Sequence, residues 1–333
     1  MAENRTIARQ GLTLRRLRQD RFIRGLTRQA RVSPEQLIQP HFVVDGIRQR
    51  EAVPGLTGVF RETADSLAKQ VEQDIEAGAD KIILFGVPAE KREANFNHDF
   101  TRRQIENLRR RFGANLWIAV DVCLCSHTAH GHCGVLSREQ DHVVNDASVA
   151  ELARAALSYA QAGANCVAPS DMMDGRVAAI RQTLDANGAE RTLLLSYSAK
   201  FNSRFYGPFR EAADSAPRSD VLKDRATYQI DPARPDDAYA SSVRDAEEGA
   251  DILMVKPGLP YLDILKELSS RIEKPWAVYE VSGEYAGVEL LAAQNLIPAP
   301  QAHVECWTSF VRAGASMIIT YGARHARRWL SHV

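Results

Sequence analysis

The 333-residue sequence predicts a (β/α)8 barrel, and three observations carry that prediction. A glycine-centred segment recurs four times along the chain. Eight short apolar runs alternate with helical patterns, and several of them end in polar or ionisable residues. The length accommodates one barrel of about 250 residues with an extension, or two domains of about 150 each.

The recurring segment reads EAGADKIILF from Glu76, QAGANCVAPS from Gln161, EEGADILMVK from Glu247 and RAGASMIITY from Arg312. Each follows an amphipathic stretch, breaks at a glycine (Gly78, Gly163, Gly249, Gly314) and enters an apolar run. A helix that ends at a C′ glycine, then a tight loop, then a strand buried on both faces, has this pattern. The glycines lie 85, 86 and 65 residues apart, roughly two βα units of about 30 to 40 residues each. PHFVV from Pro40, LWIAVDVC from Leu116, TLLLSYS from Thr192 and WAVYEV from Trp276 fill the intervals and bring the strands to eight. Alternating βα units imply a parallel sheet, and eight of them close into a barrel. A doubly wound open sheet is the alternative, and the absence of G-x-G-x-x-G after an early strand weakens its dinucleotide-binding form.

Composition is that of an ordinary globular protein: 45% hydrophobic and 25% charged. This excludes a disordered chain, a fibrous repeat and a disulfide scaffold. Forty-two basic residues balance 42 acidic ones, so the whole chain carries no electrostatic footprint for nucleic acid. Residues 1 to 32 depart from that balance, with nine arginines against Glu3 and Asp20. A subunit-docking arm over residues 1–35, ahead of a catalytic barrel over 36–333, is the favoured reading; a targeting segment and a nucleic-acid tail are the alternatives. No run of 18 apolar residues and no signal-peptide core occur, and five cysteines are too few for a secreted framework. The expectation is a soluble, cytoplasmic protein that engages neither membrane nor nucleic acid.

In a barrel the chemistry sits where strands end and βα loops begin. Those positions hold Asp121, Ser170 and Asp171, Ser198 and Lys200, Lys256, Ser282 and Tyr321. Only eight lysines face 34 arginines, yet Lys200 and Lys256 both sit at the ends of apolar strands. Burial disfavours an ammonium, and a neutral amine can form a Schiff base with a ketone or aldehyde. A lysine that snorkels from the core to water is the plainer reading, but two at one mouth favour chemistry. After the third strand, Cys123, Cys125 and Cys133 lie within eleven residues beside His127, His130 and His132. Three thiolates and an open position suit a catalytic zinc, with a histidine available as a fourth ligand; three reduced thiols packed in a loop are the alternative. Cys166 and Cys306 read as core. Residues 201–233 form a long polar segment of the kind that makes lids, and its Arg210 and Arg225 suit a carboxylate substrate.

The motifs DVCLC with HGHCG, SDMMDGR, SYSAKF followed by FYGPFR, MVKPGLPYLD and VYEVSGEY occur in that order. Together they resemble the porphobilinogen synthase (5-aminolevulinate dehydratase) family, from Arg15 almost to the C-terminus. The resemblance implies a (β/α)8 barrel whose N-terminal arm wraps a neighbour in a homo-octamer. It also implies the condensation of two 5-aminolevulinate molecules into porphobilinogen. By motif position, Lys256 would form a Schiff base with the propionate-side substrate and Lys200 with the acetate-side one. Arg210, Arg225 and Gln229 would hold the acetate-side carboxylate, and Ser282 and Tyr321 the propionate-side one. Asp121, Ser170 and Asp171 would line the site with Tyr206 and Phe209, and Cys123, Cys125 and Cys133 would bind one zinc per subunit.

The sequence departs from the family's pattern at four places. Ser126-His127 replaces the Pro-Tyr pair usual after the second cysteine. Thr227 stands where some zinc-type members carry a cysteine for a second zinc, so that zinc is not expected. Ser241 stands where many bacterial members place the glutamate of an allosteric magnesium site, so magnesium is not carried over. Gly322-Ala323-Arg324 replaces the usual continuation after Tyr321. Two other classes stay open from the residues alone. A class I aldolase needs one Schiff-base lysine and no zinc, and a metal-sensing or nucleic-acid-binding module would use the arm and the thiols.

Overall fold

The computed structural model describes residues 14–331. The repeated glycines act as helix terminators. Gly78, Gly163, Gly249 and Gly314 adopt φ of +95°, +100°, +102° and +115°, a backbone that a Cβ would strain. Each turns the chain directly into a strand.

The strands, in chain order, are β1 (Leu37–Val44), β2 (Glu51–Ala52), β3 (Phe60–Glu62), β4 (Lys81–Val87), β5 (Trp117–Val122), β6 (Cys166–Pro169), β7 (Leu193–Lys200), β8 (Ile252–Lys256), β9 (Trp276–Tyr279) and β10 (Met317–Ile319). From β1 the ladder passes to β4 and then in order to β10, every pair parallel. It closes where Leu37 and Ile38 pair with Ile318 and Ile319. The eight strands read from the sequence are therefore the barrel. The additional β2–β3 pair, antiparallel and attached to β1 through β3, lies in a connection that shows no apolar run.

A short α1 (Arg21–Leu26) precedes the barrel. Around it run α2 (Ala64–Ala77), α3 (Asp99–Phe112), α4 (Asn145–Gln161), α5 (Arg176–Ala186), α6 (Gly207–Ala212), α7 (Pro235–Glu247), α8 (Leu262–Arg271), α9 (Ser282–Ala293), α10 (Ala299–Ala313) and α11 (Ala326–Leu330). Among the described residues no helix is long and apolar enough to cross a membrane. The chain divides into two compact units between Arg31 and Val32. In the first, Asp20 caps α1 by accepting from the N–H groups of Phe22 and Ile23, and Leu14, Leu17, Phe22 and Leu26 are exposed.

Two core layers follow from the period of two along each strand. Ile82, Leu84, Ile118 and Val120 pack outward with Leu67, Val71, Ile105 and Leu108 of the helices. Ile83, Phe85, Ala119, Cys166 and Met254 fill the barrel. Cys166 is core, as its strand position indicates, whereas Cys306 is only half-buried against the outer layer. The inward series ends in polar residues at the mouth: Ala119 leads to Asp121, Ala168 to Ser170, Met254 to Lys256 and Ile319 to Tyr321.

Strand β7 breaks the rule. Leu195 and Tyr197 face inward, so strict alternation would send Lys200 outward. A register shift against β8 between Ser196 and Ala199 reverses this, placing Ala199 in the outer layer and turning Lys200 in. The following segment, read from sequence as a loop, contains α6 and a turn of 3-10 helix at Arg204–Tyr206. It folds over the mouth. Ser126 Oγ donates to Ala213 O at 2.9 Å, and the Arg218 N–H donates to His130 O at 2.9 Å.

Candidate active site

Lys256 ends its strand inside a ring of aromatic side chains. Its Nζ lies 4.1 Å from the centre of the Tyr279 ring, 4.8 Å from Phe209, 5.0 Å from Tyr197 and 5.5 Å from Tyr206. Ring faces attract a cation, but they do not replace lost hydration. Burial, reinforced by the Lys200 ammonium, lowers the Lys256 pKa to about 7. Lys200 is as buried, donates to Ser170 O, and has its Nζ 5.7 Å from the same Tyr197 ring. Two amines thus meet one ring in one chamber.

Acidic groups stand beside them. Burial raises the Asp121 carboxyl to about 6 against the pull of Lys200 and Lys256, and its Oδ1 is enclosed with no protein partner. A carboxyl in that range can give and take a proton near neutrality. Burial likewise raises Asp171 to about 6, although Arg176 opposes it; Oδ1 accepts from the Met173 N–H at 2.7 Å, and Oδ2, with no hydrogen-bond partner, lies 3.7 Å from Arg176 Nε.

Several cationic and amide atoms of the covering segment are buried without a hydrogen-bond partner. Arg225 is buried and donates to Gly131 O at 2.9 Å and Ser215 O at 2.6 Å, yet its Nε is unpaired. Arg210 Nε and both polar atoms of the Gln229 amide are also buried and unpaired. Burial, then the charge of Arg225, lowers the Arg210 pKa. Ser282 Oγ accepts from the Phe209 N–H at 3.0 Å and donates to Phe205 O at 3.3 Å. The Tyr279 hydroxyl donates to the Tyr321 hydroxyl at 3.4 Å, which leaves the Tyr321 proton for a ligand. Tyr206 donates to Phe201 O at 2.8 Å and Lys256 O at 3.2 Å, and so braces the lysine's own backbone.

The sulfur atoms of Cys123, Cys125 and Cys133 lie within 4.8 Å of one another, all buried. Hydrogen bonds from Cys123 and Cys125, with the nearby charges of Arg225 and Lys200, hold the Cys133 thiol well below its ordinary range, while burial pushes Cys123 well above its own. A pocket of three sulfurs with one favoured thiolate fits a thiophilic divalent cation. No histidine joins it among the described residues, so the fourth ligand read from the sequence is not a neighbouring imidazole. His132 is engaged by Tyr228 Oη at 3.0 Å and Leu222 O at 2.8 Å, and His130 Nδ1 accepts from the His132 N–H. His127 turns away to pack on Phe96 and His98.

Comparison with known proteins bears directly on this arrangement. Residues 12–329 match the family model for delta-aminolevulinic acid dehydratase. The chain belongs to that family. It is 43% identical over 321 residues to the delta-aminolevulinic acid dehydratase of Halalkalibacterium halodurans, covering 95% of this chain and 96% of that one. The Bacillus subtilis enzyme of the same name is 40% identical over 321 residues, covering 95% and 97%. The crystal structure of delta-aminolevulinic acid dehydratase (porphobilinogen synthase) from Toxoplasma gondii, in complex with the product porphobilinogen, superposes with a TM-score of 0.92. It shares 38% identity, over 96% of this chain and 91% of that one.

Against the family pattern, the departures have physical places. His127 is buried away from the thiols, Thr227 and Ser241 line a cavity of about 810 Å³ whose walls include neither lysine, and Arg324 pairs with Asp74 at 3.1 Å. Sequence reasoning missed Tyr197 and Tyr279, which complete the ring about Lys256. It also missed Glu284, which accepts from the N–H groups of Val281 at 2.6 Å, Leu259 at 2.5 Å and Gly258 at 3.2 Å, tying together the loops after β8 and β9. Its position in VSGEY was legible, but its partners are not local. Because the Lys256 amine loses its proton near pH 7 rather than above 10, borohydride capture of a small keto acid on Lys256 should rise as pH crosses about 7 and level off above it. Capture that continues to climb toward pH 10 would show an ordinary ammonium.

Proposed function

We propose that this protein condenses two molecules of 5-aminolevulinate into porphobilinogen with release of two waters, a step in tetrapyrrole (heme) biosynthesis. The observation that carries the reading is the pair of buried amines on one aromatic ring. Each reacting ketone needs a nucleophile, and the Lys256 amine, near its pKa at neutrality, supplies one without a strong base. The neutral Lys256 amine adds to the ketone carbon of the propionate-side substrate, and loss of water leaves a Schiff base. Lys200 engages the acetate-side substrate in the same way. Asp121, poised near neutrality, exchanges the protons that these additions and eliminations require. Arg210, Arg225 and Gln229 bind one carboxylate, which would accept from their unpaired N–H groups. Ser282 and Tyr321 bind the other, and Ser170, Asp171, Tyr206 and Phe209 enclose the substrates and exclude water.

Cys123, Cys125 and Cys133 would hold one zinc ion, which when bound polarises a substrate oxygen or acidifies a bound water. A class I aldolase has no use for the second amine or for the thiols, and both therefore favour the condensation. The assembly we infer is a homo-octamer in the cytoplasm, with the arm of residues 1–35 docked on a neighbouring subunit. The nine arginines of the arm and its exposed Leu14, Leu17, Phe22 and Leu26 are suited to a protein partner.

Borohydride added with 5-aminolevulinate should trap one adduct on Lys256 in the wild type and in Lys200→Ala, and much less in Lys256→Ala. Both variants should lose porphobilinogen formation by at least about 10³-fold, because neither can activate two ketones. Labelling of Lys200 alone would reverse the order of capture; labelling of neither lysine rejects the mechanism. Chelation should abolish turnover and added zinc should restore it, with little change in circular dichroism, since a core of this size needs no metal staple. Cys125→Ala should imitate chelation, and full activity without zinc would disprove the metal's role. Deleting residues 1–30 should lower the assembly state by sedimentation together with activity. An unchanged oligomer would reject the arm's docking.

A further inference from the structure

Outside the chamber of the amines, a buried carboxylate joins the ends of two neighbouring strands of the barrel. Glu280 follows β9, and its N–H donates to Ile319 O at 2.9 Å, extending the ladder with β10. Its side chain is fully buried. The carboxylate accepts from Thr320 Oγ1 at 2.5 Å and Trp307 Nε1 at 3.0 Å, and faces His303 Nδ1 at 3.2 Å. The other ring nitrogen of His303, Nε2, faces Glu289 at 3.0 Å. Trp329 and Tyr285 stack on the imidazole, with ring centres 5.1 Å and 4.7 Å away.

An imidazole between two carboxylates donates to both only as a cation. Burial opposes that charge, but the hydrogen bonds and charges of Glu280 and Glu289 outweigh it and raise the His303 pKa above its ordinary value. The cation in turn compensates a carboxylate that has no water to solvate it. Thr320, held by Glu280, immediately precedes Tyr321, and Glu280 itself lies two residues before Ser282. These are the two residues assigned above to one substrate carboxylate.

We propose that His303, held between Glu280 and Glu289, is a positioning residue that sets the Ser282 and Tyr321 segments for recognition of the substrate carboxylate. This inference rests on the function proposed above. Without His303, Glu280 is a buried charge with no counter-ion. It then rotates toward other donors, which releases Thr320 and lets the Tyr321 segment move relative to Ser282.

The test is the concentration dependence of borohydride capture on Lys256 with two ketones. One is 5-aminolevulinate; the other is 1-aminopropan-2-one, the same aminoketone without the carboxylate arm. His303→Phe keeps the stacking and removes both donors. It should raise the half-saturating concentration of 5-aminolevulinate by about tenfold, leave the amount captured at saturation unchanged, and leave capture of 1-aminopropan-2-one unchanged. His303→Gln, which retains a donor toward Glu280, should recover most of the loss. If His303→Phe does not fold, Glu289→Gln on the partly exposed side should give a smaller shift with the same selectivity. An equal shift for both ketones shows a merely structural role and overturns the proposal. No shift in any of these variants, while Ser282→Ala and Tyr321→Phe weaken 5-aminolevulinate alone, overturns it and leaves the carboxylate pocket standing. Silence from Ser282→Ala and Tyr321→Phe removes the pocket and the proposal together.

Discussion

The cost of stripping water from an ammonium inside an aromatic box governs this site. Lys256 is placed by the alternation of β8, Ile252 and Met254 inward and then the amine, so the barrel's own packing carries it into the interior. Four rings surround it at 4.1 to 5.5 Å. They stabilise a cation by roughly 1–2 kcal/mol apiece at best, less than the hydration that burial removes. The balance leaves the amine near its pKa at neutral pH, where a nucleophile and its conjugate acid coexist. The neighbouring Lys200 adds to the same effect, because a second positive charge in a dry chamber is further disfavoured.

Other parts of the molecule can be understood as serving that chamber. The segment of α6 covers it, and through Phe209 and Tyr206 it contributes both rings and a brace to the Lys256 carbonyl. Glu284 joins the loops after β8 and β9 through three backbone N–H groups. Burial nevertheless raises its pKa to about 8, so the brace holds its proton in a near-neutral range as well. Arg176, with no exposed surface, links α5 to Asp245 of α7 at 3.0 Å and supports Asp171 from behind. Such fully buried ion pairs contribute little net stability relative to apolar packing, but losing one partner leaves an uncompensated charge. They hold geometry more than they hold the fold.

The thiol pocket shows the same economy of charge. Cys123 and Cys125 come from the turn that ends β5, and Cys133 returns across a loop whose backbone is pinned by Tyr228 and Arg225. The arginine thereby serves two neighbours: its charge stabilises the Cys133 thiolate, and its unpaired Nε remains available to an anion. The thiol cluster and the covering segment are electrostatically coupled through one guanidinium.

Much of this was determined by the sequence alone. The four glycines specified helix ends, because only a residue without Cβ takes φ near +100° freely. The eight apolar runs specified the strands, and motif order identified the family. The short β2–β3 pair was invisible, since its residues carry no apolar period. Strict period-two reading would have pointed Lys200 at the helices, and only the register shift beside β8 turns it inward. The histidines near the thiols looked like ligands by proximity in sequence. The His132 ring nitrogens were instead claimed by Tyr228 and Leu222, His130 Nδ1 by the His132 N–H, and the His127 ring was buried against Phe96 and His98. The rings around Lys256 and the Glu280–His303–Glu289 array were likewise decided only in three dimensions. Periodicity and backbone preference are local and are written along the chain, whereas pKa and partner choice depend on groups brought together from distant strands by closure of the barrel.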